Sequence, residues 1–143
     1  QQCNCLTITS AGLSAAIEKK FPNVVVYKQR ERLGNRNCAT EETRSKPGSY
    51  EIFDNVVCLY SQWRPGKLGS PFFKSYPESY PPETNNQRMK WFKQALWDFG
   101  NFLVKEGRST PYIIGIPYKI GCGLAIKCNL CLVLNNIVSC LFT

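Results

Sequence analysis

The sequence predicts an α/β domain with a largely parallel sheet. Short segments rich in Val, Ile and Tyr alternate with amphipathic helical segments, and this alternation is typical of parallel sheets. The chain has 143 residues, of which 43% are hydrophobic and 20% charged, as expected for one globular domain. An aromatic content of 13% excludes a collagen-like repeat, a coiled coil and a disordered tail.

The first part of the chain predicts a strand, a helix and a second strand. Residues 3–8 are apolar and β-prone. Apolar residues at helical spacing over 13–21 predict a helix that Ser10 caps and Pro22 ends. The apolar run 24–27 predicts the second strand.

The middle of the chain predicts a hairpin between two loops. Residues 28–49 are polar and charged, which favours a loop. Residues 50–53 and 56–61 predict strands on either side of the turn Asp54-Asn55. Residues 64–82 contain many prolines and glycines and predict an ordered or semi-ordered surface loop.

The strongest helix signal follows that loop. Thr84 and Gln87 have the spacing of a capping box, and a stripe of apolar residues runs from 89 to 103 before Gly107 ends the helix. The aromatic residues of this helix stripe have the spacing typical of a core, which argues against a base-stacking platform.

After the helix, residues 112–116 predict a buried strand.

Charge and residue usage limit the chemistry. The chain has 18 Lys and Arg against 10 Asp and Glu, a formal net charge of +8, which favours an anionic partner. It has no histidine, so an imidazole base, proton shuttle or metal ligand is excluded. Any general acid or base must be Asp, Glu, Lys, Tyr or Cys.

In a small secreted chain eight cysteines would suggest a disulfide framework, but their placement favours reduced thiols in an intracellular protein, cytoplasmic or nuclear. Cys58 lies in an apolar run, as a small buried hydrophobe does, and no signal peptide is visible. Cys128-x-x-Cys131 together with Cys3-x-Cys5 offers four thiolates, but the spacing is not that of a zinc ribbon or finger. We therefore predict neither a metal nor a cofactor.

Two turns that follow predicted strands are candidates for anion binding. The first runs through residues 9–12 into a helix, whose N-terminus presents unpaired N–H groups and a positive partial charge. The second, Gly121-Cys122-Gly123, is flexible and presents similar N–H groups. In an open α/β sheet both lie beyond the carboxyl ends of strands, where ligands bind, so together they predict a clamp for a diphosphate.

Residues 116–125, Ile-Pro-Tyr-Lys-Ile-Gly-Cys-Gly-Leu-Ala, resemble the second ligand loop of macro domains, the family that binds or hydrolyses ADP-ribose derivatives. Residues 2–6 with 12–17 resemble the family's first conserved strand and glycine loop, and residues 56–62 resemble its central strand. The resemblance covers residues 1–125. It implies a three-layer α/β/α macro-type sandwich with a mostly parallel central sheet, whose opening strands are missing here.

By this resemblance the chain binds ADP-ribose or an ADP-ribosylated protein, with no membrane partner. Asn4 would contact the distal ribose, and two loops would hold the diphosphate through backbone N–H groups. The implied loop residues are Ser10, Ala11, Gly12, Leu13, Ser14, Ile120, Gly121, Cys122, Gly123 and Leu124. The oligomeric state stays open.

An active ADP-ribosyl hydrolase or phosphatase is an alternative. One related subgroup uses a Lys on the central strand and an Asp after the second loop, and these positions match Gln62 and Ala125. Neither residue can act as a nucleophile or proton carrier. An active enzyme would need Tyr118, Lys119 or Glu41 in their place.

A basic nucleic-acid-binding module is the second alternative, and it would rely on Lys28, Arg30, Arg32 and Arg36. A solvated loop is the favoured interpretation of that run, because it lacks interleaved aromatic residues. Residues 126–143 form a divergent apolar tail, which is shorter than the roughly 20 apolar residues of a bilayer span. The absence of acidic residues from the end of the chain suggests an alternative or mis-spliced ending.

Overall fold

The computed structural model describes residues 1–71, 75–107 and 114–116. In chain order its elements are β1 (Gln2–Asn4), α1 (Leu13–Lys20), a 3₁₀ turn (Glu41–Thr43), β2 (Tyr50–Phe53), β3 (Val56–Gln62) and α2 (Asn85–Glu106). The described part of the chain is therefore a mixed α/β structure, as the alternation of segments predicts.

The described sheet has three strands in the order β1-β3-β2. β1 pairs with β3 in parallel, whereas β2 pairs with β3 in antiparallel fashion. A two-residue turn joins β2 to β3, and so short a connection allows only an antiparallel pair. The predicted hairpin is confirmed, but the mostly parallel sheet is not, because this part of the sheet is mixed.

α2 confirms the strongest helix prediction. Thr84 Oγ1 accepts a hydrogen bond from the backbone N–H of Gln87 at 3.0 Å, and Gly107 ends the helix in the left-handed conformation with φ +57°. The helix buries its apolar face, and Phe92 and Ala95 join Leu59 of β3 in one core cluster. The predicted apolar stripe is thus core.

A second core cluster lies around β1 and the middle of β3, and it corrects one predicted strand. It contains Cys3, Cys5, Val24, Val26, Tyr27, Cys58 and Tyr60. Three of the residues 24–27 are buried, but the segment is not a strand, and residues 26 and 27 lie in a turn. Its backbone hydrogen bonds are local, as in Gln29 N–H to Val25 C=O at 3.0 Å, so it has no strand partner among the described residues.

β1 is shorter than the strand predicted over residues 3–8. It ends at Asn4 because the side-chain oxygen of Asn4 accepts hydrogen bonds from the backbone N–H groups of Leu6 at 3.0 Å and Thr7 at 2.8 Å. Such a side-chain turn supplies partners that strand pairing would otherwise provide. β1 and β3 share three residue pairs: Gln2 and Cys3 pair with consecutive residues of β3, and a shift in register precedes the pair of Asn4 with Gln62.

α1 forms close to where it is expected, but two details differ. Gly12, with φ +55°, precedes its first residue, and no side chain caps it. The Ser10 hydroxyl instead donates to Glu18 Oε2 at 2.8 Å, so the prediction that Ser10 caps the helix is wrong. Leu13 is 50% exposed, which shows that the apolar face of α1 is only partly buried.

The strand predicted over 112–116 is only partly described. Residues 114–116 are exposed and have no strand pairing, so for them the prediction of a buried strand is wrong. The rest of that segment, the second glycine loop and the apolar tail lie outside the described residues. Among the described residues, no helix combines the length and apolar content needed to cross a membrane.

Candidate functional site

The parallel pair brings the ends of β1 and β3 to one edge of the sheet. Asn4 is paired with Gln62, and the next residue, Cys5, donates its N–H to the Gln62 carbonyl at 2.9 Å. The chain that leaves β1 enters the predicted first anion loop. This loop therefore begins at the carboxyl edge of the parallel pair, the kind of edge where α/β sheets bind ligands.

Asn4 lies at the start of that loop, with its side chain engaged in the turn. Besides accepting from the two N–H groups that end β1, its amide donates to Thr7 Oγ1 at 2.9 Å. These bonds hold the turn that redirects the chain toward α1. The contact of Asn4 with a ribose stays a prediction, and the observed role of the amide is to shape the loop.

Residues 10–14 form the first loop itself. Ala11, Gly12 and Leu13 are exposed, whereas Ser14 is buried, with its Oγ 3.5 Å from the Tyr27 hydroxyl. A Cβ at Gly12 would meet no atom within 4 Å, although its φ of +55° makes a substitution strained. The backbone at the start of α1 is thus open to solvent. The first N–H groups of a helix have no partner within that helix.

The second predicted loop, residues 120–124, is not part of the described structure. Residues Ile120, Gly121, Cys122, Gly123 and Leu124 lie outside the described residues, as do Tyr118, Lys119 and Ala125. Two residues considered for hydrolase chemistry are described: Glu41, one of the proposed substitutes, and Gln62, which stands where the related subgroup has its Lys. Glu41 is exposed in the 3₁₀ turn, and Gln62 is half-buried at the end of β3.

Arg30 is the functional candidate whose environment the sequence did not reveal. It is only 6% exposed, and its guanidinium donates to the carbonyls of Thr7 at 2.6 Å and Asn4 at 2.9 Å. The group therefore fastens the start of the first loop. The one sequence signal that could have indicated the burial of Arg30 is the apolar run 24–27, which precedes it by three residues.

This burial corrects the predicted basic cluster. Lys28, Arg32 and Arg36 are exposed, as a solvated loop requires, but Arg30 faces the interior. A buried guanidinium bonded to main-chain carbonyls cannot also lie along a nucleic-acid backbone. The four residues therefore do not form one contiguous basic surface.

A second set of buried charges lies where the chain leaves β3. Glu83 Oε1 accepts from Arg88 Nε at 2.8 Å and from the backbone N–H of Trp63 at 2.9 Å. Arg88 is 0% exposed and also donates to the carbonyls of Gly66 and Arg64. Burial lowers the pKa of Arg88, and the nearby Glu83 carboxylate opposes that shift. This network ties α2 to the loop after β3.

The Cys5 thiol and the Tyr27 phenol, both near the first loop, are held in their neutral forms. Burial raises the pKa of the Cys5 thiol and that of the Tyr27 phenol well above their ordinary values. The four described cysteines, Cys3, Cys5, Cys38 and Cys58, are free and buried. In the part of the chain that the structure describes, no group of three or more Cys, Asp or Glu residues could hold a metal ion.

The aromatic residues considered for base stacking have other contacts. Tyr60 is buried, and its hydroxyl donates to Glu51. Trp63 packs against the core around Tyr60, donates its indole N–H to the Pro77 carbonyl at 2.9 Å, and has Arg44 over its ring. Both rings therefore serve the packing of the sheet edge.

Comparison of the chain with protein-family models, with curated proteins and with solved structures found no match.

Proposed function

We propose that the chain binds ADP-ribose or a related ADP-ribose derivative, free or attached to protein, in an intracellular setting. Backbone N–H groups of residues 10–14 and 120–124 would hold the diphosphate. The proposal includes the complete three-layer macro-type sandwich, of which the described mixed sheet would be one part. It joins the resemblance in the sequence to one structural observation.

That observation is the exposed loop at the carboxyl end of β1. Residues 11–13 are exposed, and apart from the chain neighbours of Gly12 no atom of the described residues lies within 4 Å of where its Cβ would be. The start of α1 adds N–H groups and a positive partial charge, which favour a phosphate. The net charge of +8 would help an anion to approach. These features support anion capture by the backbone and require no histidine, metal or cofactor.

Calorimetric titration with ADP-ribose tests the proposal. We expect heat of binding at millimolar ligand or below, and no heat from a folded sample would remove the proposal. Retention of single-stranded RNA that ADP-ribose does not displace would instead favour a nucleic-acid-binding module.

A pair of charge variants locates the site. Leu13→Glu places a carboxylate at the first residue of α1, where it should weaken binding about tenfold or more by repelling the phosphates. An acidic residue in the first turn stabilises a helix, so this variant should fold. The matched control, Phe21→Glu, adds the same charge just beyond the other end of α1, where Phe21 is 40% exposed. Equal affinity of both variants would contradict a site at the start of α1.

A further inference from the structure

Arg30 is a buried cation that no carboxylate contacts directly. All 10 Asp and Glu residues of the chain belong to its described part, and none has a carboxylate oxygen within 4.0 Å of this guanidinium. The contrast with Arg88 is direct, since Arg88 is buried beside the carboxylate of Glu83. Burying a charge is costly unless it is paired, so an unpaired buried arginine calls for a reason.

The partners of Arg30 accept hydrogen bonds from Nη1 and Nη2, and none of these partners carries a charge. Besides the two loop carbonyls, it donates to Ser45 Oγ at 2.8 Å, and it stacks over the rings of Tyr27 and Tyr60. Its Nε is buried with no hydrogen-bond partner. Carbonyl, hydroxyl and ring contacts orient a cation without cancelling its field. The positive potential of Arg30 therefore extends into its surroundings, where the low dielectric strengthens it.

The same group is linked to the turn that leads into the first loop and to the last residue of that loop. It holds the turn directly, through the carbonyls of Asn4 and Thr7. It reaches the end through Tyr27, whose ring lies 5.0 Å from its Cζ and whose hydroxyl lies 3.5 Å from Ser14 Oγ. Given the size of a phenol ring, Ser14 Oγ is no more than about 11 Å from the charge. That distance is comparable to the Debye length at ordinary ionic strength, and buried charges are screened less than exposed ones.

We propose that Arg30 is a positioning residue of the anion site at residues 10–14. It braces the loop and supplies a fixed positive charge that favours a diphosphate over an uncharged ligand. This inference rests on the proposed function, because it names the residue that would supply a full positive charge to a site otherwise made of backbone N–H groups. No carboxylate contacts the guanidinium directly, and Glu51 is linked to it through the ring and hydroxyl of Tyr60.

The test neutralises Arg30 without removing it. Ser45→Asp places a carboxylate where the Arg30 Nη2 already donates, and Ser45→Asn is the neutral control of the same shape. We expect Ser45→Asp to bind ADP-ribose about tenfold more weakly than Ser45→Asn, which corresponds to about 1.4 kcal/mol. Its melting temperature should be equal or higher, because the new pair compensates a buried charge. A merely structural role of Arg30 predicts no such loss of affinity.

The outcomes separate this inference from the proposed function. If the wild-type protein does not bind ADP-ribose, the proposed function fails. If the wild-type protein binds and the two Ser45 variants bind equally, only the role of Arg30 is overturned. Should Ser45→Asp not fold, Arg30→Lys and Arg30→Gln answer the same question. The lysine variant keeps the charge but loses the forked hydrogen bonds, so we expect it to bind less tightly than wild type and about threefold or more tighter than the glutamine variant; equal affinities of the two variants would overturn the charge role.

Discussion

The buried pair Glu83–Arg88 offers the sharpest test of how this structure is held together. The Glu83 carboxylate accepts hydrogen bonds from Arg88 Nε at 2.8 Å and from the backbone N–H groups of Trp63 and Arg64, the latter at 3.1 Å. It therefore connects the first turn of α2 with the residues that follow β3. We choose Glu83→Gln as the perturbation, because it keeps the shape and removes the charge.

The expected cost follows from what the substitution leaves behind. Arg88 is 0% exposed, so the substitution removes the carboxylate that contacts its buried guanidinium, and breaking a buried pair by removing one partner costs about 3–5 kcal/mol. The amide oxygen of glutamine can still accept one or two of the three hydrogen bonds. We therefore expect about 3–4 kcal/mol, a large part of the roughly 5–15 kcal/mol by which domains are stable.

Urea unfolding followed by tryptophan fluorescence measures this cost. Glu78→Gln, an exposed change in the same loop, is the matched control and should alter the free energy of unfolding by less than about 0.5 kcal/mol. The double variant Glu83→Gln with Arg88→Met should cost at least about 1 kcal/mol less than the sum of its single variants. A loss below about 1 kcal/mol for Glu83→Gln, or strict additivity, would refute the reasoning.

Two further predictions concern pH and helix capping. Burial raises the pKa of Tyr27 above its ordinary 10.0, so above pH 10 the unfolded chain loses this proton while the folded chain keeps it, and stability falls. Tyr27→Phe should remove up to about 1.4 kcal/mol of the stability loss between pH 9 and pH 11, as measured by urea unfolding at both values; equal losses would contradict this. Thr84→Ala should cost about 1 kcal/mol because it removes the N-cap bond of α2, and Thr84→Asp should restore it. An unchanged urea midpoint for Thr84→Ala would show that the cap contributes nothing.

Local signals were sufficient for α2 and the β2–β3 hairpin. The cap at Thr84, the apolar stripe and Gly107 act over a few residues each, and the two-residue turn Asp54-Asn55 selects its own pairing. Such features carry their structural information within the segment. The same holds for the position of α1, although the observed partner of Ser10 depends on where Glu18 lies.

Signals that depend on distant partners were less informative. The run 24–27 has the composition of a strand, but a strand needs a neighbour to accept its hydrogen bonds. Sequence composition cannot show that the described residues offer it no such neighbour.

The candidate site also has one part that local sequence features predict and one part that depends on distant partners. The loop of residues 10–14 could be predicted from the sequence, since a strand end, small residues and a following helix are local features. The environment of Arg30 could not, because the sequence places this residue in an ordinary charged run and its burial depends on the fold. Its partners, the carbonyls of Asn4 and Thr7 and the hydroxyl of Ser45, are 15 to 26 residues away along the chain. They converge only when β1 has paired with β3 and the turn after it has closed, because burial and hydrogen bonding of a charge are properties of the assembled core.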